Sequence, residues 1–449
     1  MLELTQNLLS ILLSFSFGTA MFCCRDRPAR VIIIFVIYCS LYYLYTAPTI
    51  VFGDGFSQAE WMTTQSRNNV AMTGAFLVLL LTIYISLSYW QAWPIRFKFK
   101  YGLVILVTTI LMCLGYLLNI NYKYVHILEN VSSIAGVVFI LILLPIIGKI
   151  TIEDFNRSLR GILPFLLWLL FLVVAFGFYE VMSQKAWATY HATNGSWILR
   201  ASSIFFSPGW FGPWLALMWI IQMYTSQARL VSLNISLFGT AICGAGVFIS
   251  GSRITLMTIM ILLTILYLMN GKSERRYITV EALTFVSMFC ITVFFFYMMF
   301  DQVAVNSSFY SLSALAKRWA ELPINLSSYV FSKFDLYFSS HSIPPEFVSV
   351  IEDRVSGSNR DSAFLTVFDR GGVISFSGLF VLLFFWGYGI LIHLKSKATS
   401  ISKSYAVLLF VYFIGAGIHS RVLQAFPPWI LAGSLVIATS LWLTRSEKV

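Results

Sequence analysis

The sequence predicts an all-α polytopic membrane protein of about 12–14 transmembrane helices, thirteen by our reading, with one large loop carrying short helices. Three observations predict it. The 449 residues are 58% hydrophobic and 11% charged, with mean hydropathy +0.81, whereas soluble domains are about one-quarter charged. Apolar runs of roughly twenty residues recur along the chain, each long enough to cross a hydrocarbon core of about 30 Å. The runs do not alternate polar with apolar residues, as the strands of an outer-membrane barrel do.

Taken in order, span one covers about 5–23 and is followed by RDRPAR. Span two is about 31–52, span three about 70–93 (ending at IRFKFK) and span four about 102–119. Span five, about 131–148, leads into KITIEDFNRSLR, and span six, about 161–182, into SQKAWATYHATNGSWILR. Spans seven and eight, about 206–224 and 230–249, are joined by SQAR. SGSR separates span eight from span nine, about 254–269, which stops at Asn270-Gly271 as helices commonly do. Span ten is about 279–300, span eleven about 373–394, span twelve about 405–418 and span thirteen about 428–444.

Charge orients this array. Alternation puts every loop with three Lys or Arg, after spans one, three, five, nine and eleven, on the side of the C-terminus. That side is cytoplasmic by the positive-inside rule, so the N-terminus and the 301–370 segment are outside. The formal charge of +11 and pI near 9.3 therefore reflect short cytoplasmic loops, and no nucleic-acid partner is implied. The six cysteines lie in or beside apolar runs without a CxxC pair, as small buried hydrophobes do. Glu3 and the absence of a basic region before the first run argue for an uncleaved first span.

The segment from Asp301 to Arg370 differs from everything around it. It holds eight of the nineteen acids but six of the thirty Lys and Arg. Segments beyond roughly 12–15 residues without an element of their own are usually functional. The chain thus divides into spans one to ten (1–300), the outer loop with short amphipathic or re-entrant helices (301–372), and spans eleven to thirteen (373–449).

Arg200, Arg253, Arg360, Arg370 and Arg421 fall at outer ends of spans, against apolar sequence. One arginine so placed can snorkel to lipid phosphates. Five call for more, because guanidinium is the side chain suited to hold a phosphate through two parallel hydrogen bonds. Three patterns carry them. In WILRASSIFFSPGWFGPWLALMW, Arg200 precedes an aromatic belt of Trp197, Phe205, Phe206 and Trp210, with Pro208 and Pro213 favouring a helix start or kink. In FISGSRITLMTIMILL, Gly251-Ser252 breaks the chain and puts Arg253 at a helix N-terminus, where the dipole adds to its charge. In GSNRDSAFLTVFDRGGVISFSGLFVLL, a single helix from Ala363 would run about 46 Å at 1.5 Å per residue. Asp369-Arg370-Gly371-Gly372 interrupts it, so a short outer piece at 361–369 is expected before span eleven.

Together these patterns, over roughly 195–395, resemble the bacterial O-antigen polymerase (Wzy-type) family within the O-antigen polymerase and ligase superfamily. The resemblance rests on an Arg before a small and aromatic segment (Arg200), a Ser-Gly-Ser-Arg turn (Ser250 to Arg253), a long periplasmic loop, and an acidic residue and Gly leading into the next span (Asp369, Gly371). Ligases carry a His-Asn pair where this chain has Arg360-Asp361, and the spacing from Arg360 to Gly371 is the polymerase one.

The resemblance implies a glycosyltransferase of the bacterial inner membrane with its active site facing the periplasm. Its substrates would be undecaprenyl-pyrophosphate-linked oligosaccharides, and its further partners the bilayer and a chain-length regulator protein. The leaving lipid pyrophosphate needs cations where its charge develops. Arg200, Arg253 and Arg360 are the first candidates, with Arg370 and Arg421 beside them. The acceptor hydroxyl needs a base; Asp361, Asp369, Glu352 and Asp353 are nearest in sequence, with His341 the alternative and His419 a second. Glu180 either assists an acceptor sugar or pairs with a loop Lys. Eight aromatics from Phe309 to Phe338 either stack on sugars or pack outer helices onto the bilayer. No metal and no cofactor is implied, since the chain has no Asp-x-Asp and no His, Cys or acid cluster at ligand spacing. The rival readings are an O-antigen ligase acting on lipid A–core, a lipid-linked glycan flippase, which should show two repeated halves, and a structural or signalling membrane protein.

Overall fold

A computed structural model describes residues 2–44 (43 excepted), 69–90, 99–118, 152–183, 188–191, 197–205 (202 excepted), 208–299, 363–395 and 400–419, with a few single positions between 143 and 150. In chain order the elements are α1 (Leu2–Cys23), α2 (Pro28–Leu41), α3 (Asn69–Trp90), α4 (Phe99–Leu118) and α5 (Ile152–Met182). Strands β1 (Ala188–His191) and β2 (Trp197–Arg200) follow, then α6 (Pro208–Gln227), α7 (Leu233–Ser250), α8 (Arg253–Met269), α9 (Lys272–Met299), α10 (Ala363–Lys395) and α11 (Ser400–His419). Eleven of the expected spans have a helix at their place. Most of expected span five, all of span thirteen and most of 301–372 lie outside the described residues.

Five of these helices have stretches long and apolar enough to cross a membrane: Glu3–Cys23, Glu153–Met182, Leu233–Ser250, Glu274–Phe296 and Gly372–Lys395. Their outward faces are apolar too. Phe15, Trp168, Phe294 and Phe384 are each more than 60% exposed, which water would penalise and hydrocarbon does not. These features fit a multi-pass membrane protein.

The main core joins α2 and α5–α11 around the fully buried Trp214, Trp219, Phe205, Phe211 and Phe285. Helix α7 stands at its centre, against α9, α6 and α5. Between membrane helices no hydrophobic drive distinguishes a neighbour from lipid, so close backbone approach does the work. Gly244 provides it: a Cβ there would lie 2.7 Å from the backbone carbonyl oxygen of Phe285 on α9. A second cluster joins α1, α2 and α3 around Phe35, Tyr38 and Ile85. Helix α10 packs chiefly along α4, where the Ser375 hydroxyl donates to the Met112 carbonyl at 2.6 Å, and then along α11.

Two details differ from the expectation. The segment after α5, read as a loop, contains an antiparallel hairpin in which Ala188 pairs with Arg200 and His191 with Trp197. Asn194-Gly195 between ATYH and WILR is a hairpin turn signal that a helix-oriented reading passes over. The second is the stop after α8, which uses the Asn270 side chain and no left-handed glycine. Asn270 is extended (φ −99°, ψ 158°) and its Nδ2 donates to the Leu266 carbonyl at 2.9 Å.

Candidate functional site

The first two arginine motifs, about fifty residues apart, meet at one corner. Strand β2 ends at Arg200, and the next amide, of Ala201, donates to the carbonyl of Ile249 at 2.9 Å. Ile249 belongs to the last turn of α7, which continues through Gly251 and Ser252 into α8. The residue after Arg200 and the residue before the Ser-Gly-Ser-Arg turn are therefore tied together backbone to backbone. Arg253 is the first residue of α8, as its sequence context predicts.

Each part of the corner has a local cause. Gly251 takes the left-handed conformation (φ 56°, ψ 23°) that a glycine adopts without penalty, and its amide closes α7 onto the Phe248 carbonyl at 2.9 Å. Ser252 caps α8: its Oγ accepts from the Thr255 amide at 3.4 Å and shares a hydrogen bond with the Thr255 hydroxyl at 2.8 Å. The start of α6 closes on this turn at Gly212, where a Cβ would lie 2.5 Å from Ser252 Cβ. Residue 212 is thus held to glycine by the turn that presents Arg253.

The link from β2 to α6 is held just as tightly. Ser203 has a positive φ of 52° without being glycine, a conformation that persists only where neighbours over-determine it. Its amide donates to Glu180 Oε2 at 2.7 Å and its hydroxyl to the Val173 carbonyl at 2.6 Å, both on α5. Ser203 and Glu180 are both fully buried. Glu180, expected at an acceptor sugar or a loop Lys, accepts from the turn that follows Arg200. No sequence signal announced this, because a carboxylate ending an apolar run looks the same whether it faces a loop or receives one.

The aromatic residues after Arg200 are likewise structural where they are described. Phe205 is fully buried, stacked on Phe211 (5.8 Å between centroids) and tilted against Trp214 (5.2 Å). It is a core residue and not part of a lipid-facing belt. On the far side of α6, the Tyr412 hydroxyl of α11 donates to the Pro213 carbonyl at 2.8 Å. Gly415, one turn before the end of α11 at His419, faces Thr258 of α8.

The described part of the third motif lies on α10. Asp369 and Arg370 lie within the helical run of α10, and the chain breaks at Gly372 (φ 63°, ψ −168°). The interruption expected at Asp369-Arg370-Gly371-Gly372 is therefore present, with the helical piece before it starting at Ala363. Helix α10 is anchored on α4 and α11. Arg360, Asp361, Glu352, Asp353, His341 and Arg421 lie outside the described residues.

No group of three or more His, Cys, Asp or Glu able to hold a metal occurs among the described residues. In comparisons with known proteins, no family model matches this chain, and no curated protein or solved structure matches it either.

Proposed function

We propose that this chain is a polysaccharide (O-antigen) polymerase, a metal-independent glycosyltransferase of the bacterial inner membrane. It would move a glycan chain from undecaprenyl pyrophosphate to the terminal sugar of an incoming lipid-linked repeat unit. Thirteen spans, a periplasmic N-terminus, a cytoplasmic C-terminus and a site at the periplasmic face complete the reading. One observation carries it: the Ala201–Ile249 hydrogen bond joins the Arg200 and Arg253 motifs at one corner of the helical body.

The chemistry follows from the leaving group. When the bond from anomeric carbon to pyrophosphate oxygen breaks, negative charge grows on the diphosphate. Cations fixed beforehand stabilise that charge without reorganising at the moment of reaction. Arg200 and Arg253 fill that role, joined by Arg360 of the outer loop and with Arg370 and Arg421 nearby. The acceptor hydroxyl surrenders its proton to a carboxylate, drawn from Asp361, Asp369, Glu352 and Asp353, or to His341. The fixed turns around Ser203 and Gly251 support such a role, since guanidinium groups on firm backbone keep their aim.

The test is direct. Purified protein in liposomes is incubated with an undecaprenyl-pyrophosphate-linked repeat unit, without metal or nucleotide sugar, and the products are separated on a gel. A ladder of multiples is the expected result. A single transfer that appears only with lipid A–core would make the protein a ligase, despite Arg360-Asp361 standing where ligases carry His-Asn. No transfer with any lipid-linked repeat would reject the transferase reading in favour of a flippase.

A further inference from the structure

A second polar centre lies at the opposite end of the same helices, and the proposed chemistry makes no use of it. Glu281, in the third turn of α9, is 1% exposed. Its carboxylate accepts hydrogen bonds from Ser236 and Thr240, one turn apart on α7, and the hydroxyl of Ser226 near the end of α6 also favours its charged form. No Lys or Arg pairs with it among the described residues. The nearest arginine on its own helix with a described contact, Arg275, donates from Nε to the Asn270 carbonyl and lies over the Tyr267 ring.

Two further side chains point to a ligand. Gln222 is fully buried one turn before Ser226, and neither end of its carboxamide has a hydrogen-bond partner among the described residues. It lies against Gly239, on the face of α7 that carries Ser236 and Thr240: a Cβ at Gly239 would sit 2.9 Å from Gln222 Oε1. Tyr405 of α11 is 3% exposed, and its hydroxyl also lacks a partner among the described residues. Its ring meets that of Tyr224 edge-on at 5.0 Å, and the Tyr224 hydroxyl donates to Asn156 of α5. The titratable groups near the carboxylate are Cys243 on α7 and Tyr405 on α11.

Hydroxyl donors stabilise a buried carboxylate but do not cancel its charge, and an ionisable residue in a membrane helix marks a functional site by default. The oxygens gathered here are one carboxylate, three hydroxyls and one amide carbonyl, a hard set that suits hard cations. A single carboxylate balances a single positive charge, whereas a divalent ion would leave net charge in an apolar interior. We infer that Glu281, with Ser226, Ser236, Thr240 and Gln222, binds one monovalent positive charge, a proton or a sodium ion. Binding neutralises the charge that joins α6, α7 and α9 and tightens their packing. This inference does not depend on the polymerase reading.

The experiment follows thermal unfolding of the purified full-length protein in detergent by tryptophan fluorescence, to which Trp219, one turn from Gln222, contributes. Sodium chloride is compared with choline chloride at equal ionic strength, at mildly acidic and mildly alkaline pH. Wild-type protein is expected to gain several degrees from sodium at alkaline pH, or from acid in choline. Glu281→Gln, permanently neutral, is expected to gain from neither. A response to acid alone identifies the proton as the ligand, and a response to sodium identifies the alkali ion. Ser236→Ala keeps the carboxylate, removes one donor and leaves the helix sequence otherwise intact. It is expected to shift the half-saturating sodium or proton concentration about tenfold, equivalent to roughly 1.4 kcal/mol. Identical responses in wild type and both variants, or no wild-type response to either cation, would overturn the site.

Discussion

Two glycines with positive φ sit beside arginine motifs, and their surroundings differ. Gly251 stands at a corner enclosed from several sides: Ala201, just after β2, bonds to α7, Ser252 caps α8, and Gly212 of α6 closes on the turn. Gly372 interrupts α10, whose anchors lie along α4 and α11. The first break is a joint whose position is over-determined by its neighbours. The second is a break within one helix, with Asp369 and Arg370 on its N-terminal side. A diphosphate cradle requires the first kind of support, because charge stabilisation depends on groups fixed before the charge appears. A segment that delivers a base or receives an acceptor requires only that its helix be anchored.

The largest effect that would sharpen this comparison is chemical. Arg253→Ala should lower chain growth by at least about a hundredfold, the scale of removing one fixed donor from a developing anion. Arg253→Lys should keep part of the activity, with membrane insertion unchanged in both. The gel ladder measures this, and full activity in both Arg253→Ala and Arg360→Ala would remove the pyrophosphate argument. Next comes Gly212→Ala, which forces a methyl group into Ser252. Overpacking of this kind costs about 1–3 kcal/mol, so the melting temperature and the chain-growth rate should fall together.

The two glycines themselves give a smaller and more discriminating pair. The φ and ψ of Gly372 fall in a region essentially reserved for glycine, where another residue costs of order 1–3 kcal/mol. Gly251 is ordinary left-handed helix, at roughly 1–2 kcal/mol for an L-residue. Thermal unfolding should therefore show Gly372→Ala as at least as damaging to stability as Gly251→Ala, while Gly251→Ala should do more harm to chain growth. The opposite ranking of activities would break the comparison. The smallest effect is Ser252→Ala, which removes the α8 cap at about 1 kcal/mol and should lower the melting temperature by a few degrees while leaving most activity.

Much of the fold was legible in the sequence, because an apolar run of bilayer length has few alternatives to a helix. The breaks at Gly251-Ser252 and at Gly372 were legible for a similar reason, since glycine beside a charge within an apolar run marks a stop. The meeting of Arg200 with the Ser-Gly-Ser-Arg turn was not. It rests on a backbone hydrogen bond between Ala201 and Ile249, and backbone groups leave no side-chain signature. The bond from the Ser203 amide to Glu180 was hidden for a related reason: the two are twenty-three residues apart, and nothing in Ser203 itself foretells its left-handed turn. Phe205 was read as part of a belt because an aromatic residue near a span end looks alike whether it faces lipid or core.

The central claim is that Arg200 and Arg253 act on one diphosphate at one corner. A double-mutant cycle on binding of undecaprenyl pyrophosphate to the purified protein, with Arg200→Ala, Arg253→Ala and the pair, tests it most directly. Two groups holding one ligand should couple, and the cycle should depart from additivity by about 0.5–3 kcal/mol. Losses that add to within about 0.3–0.5 kcal/mol would mean that the two arginines act apart, and would contradict the account.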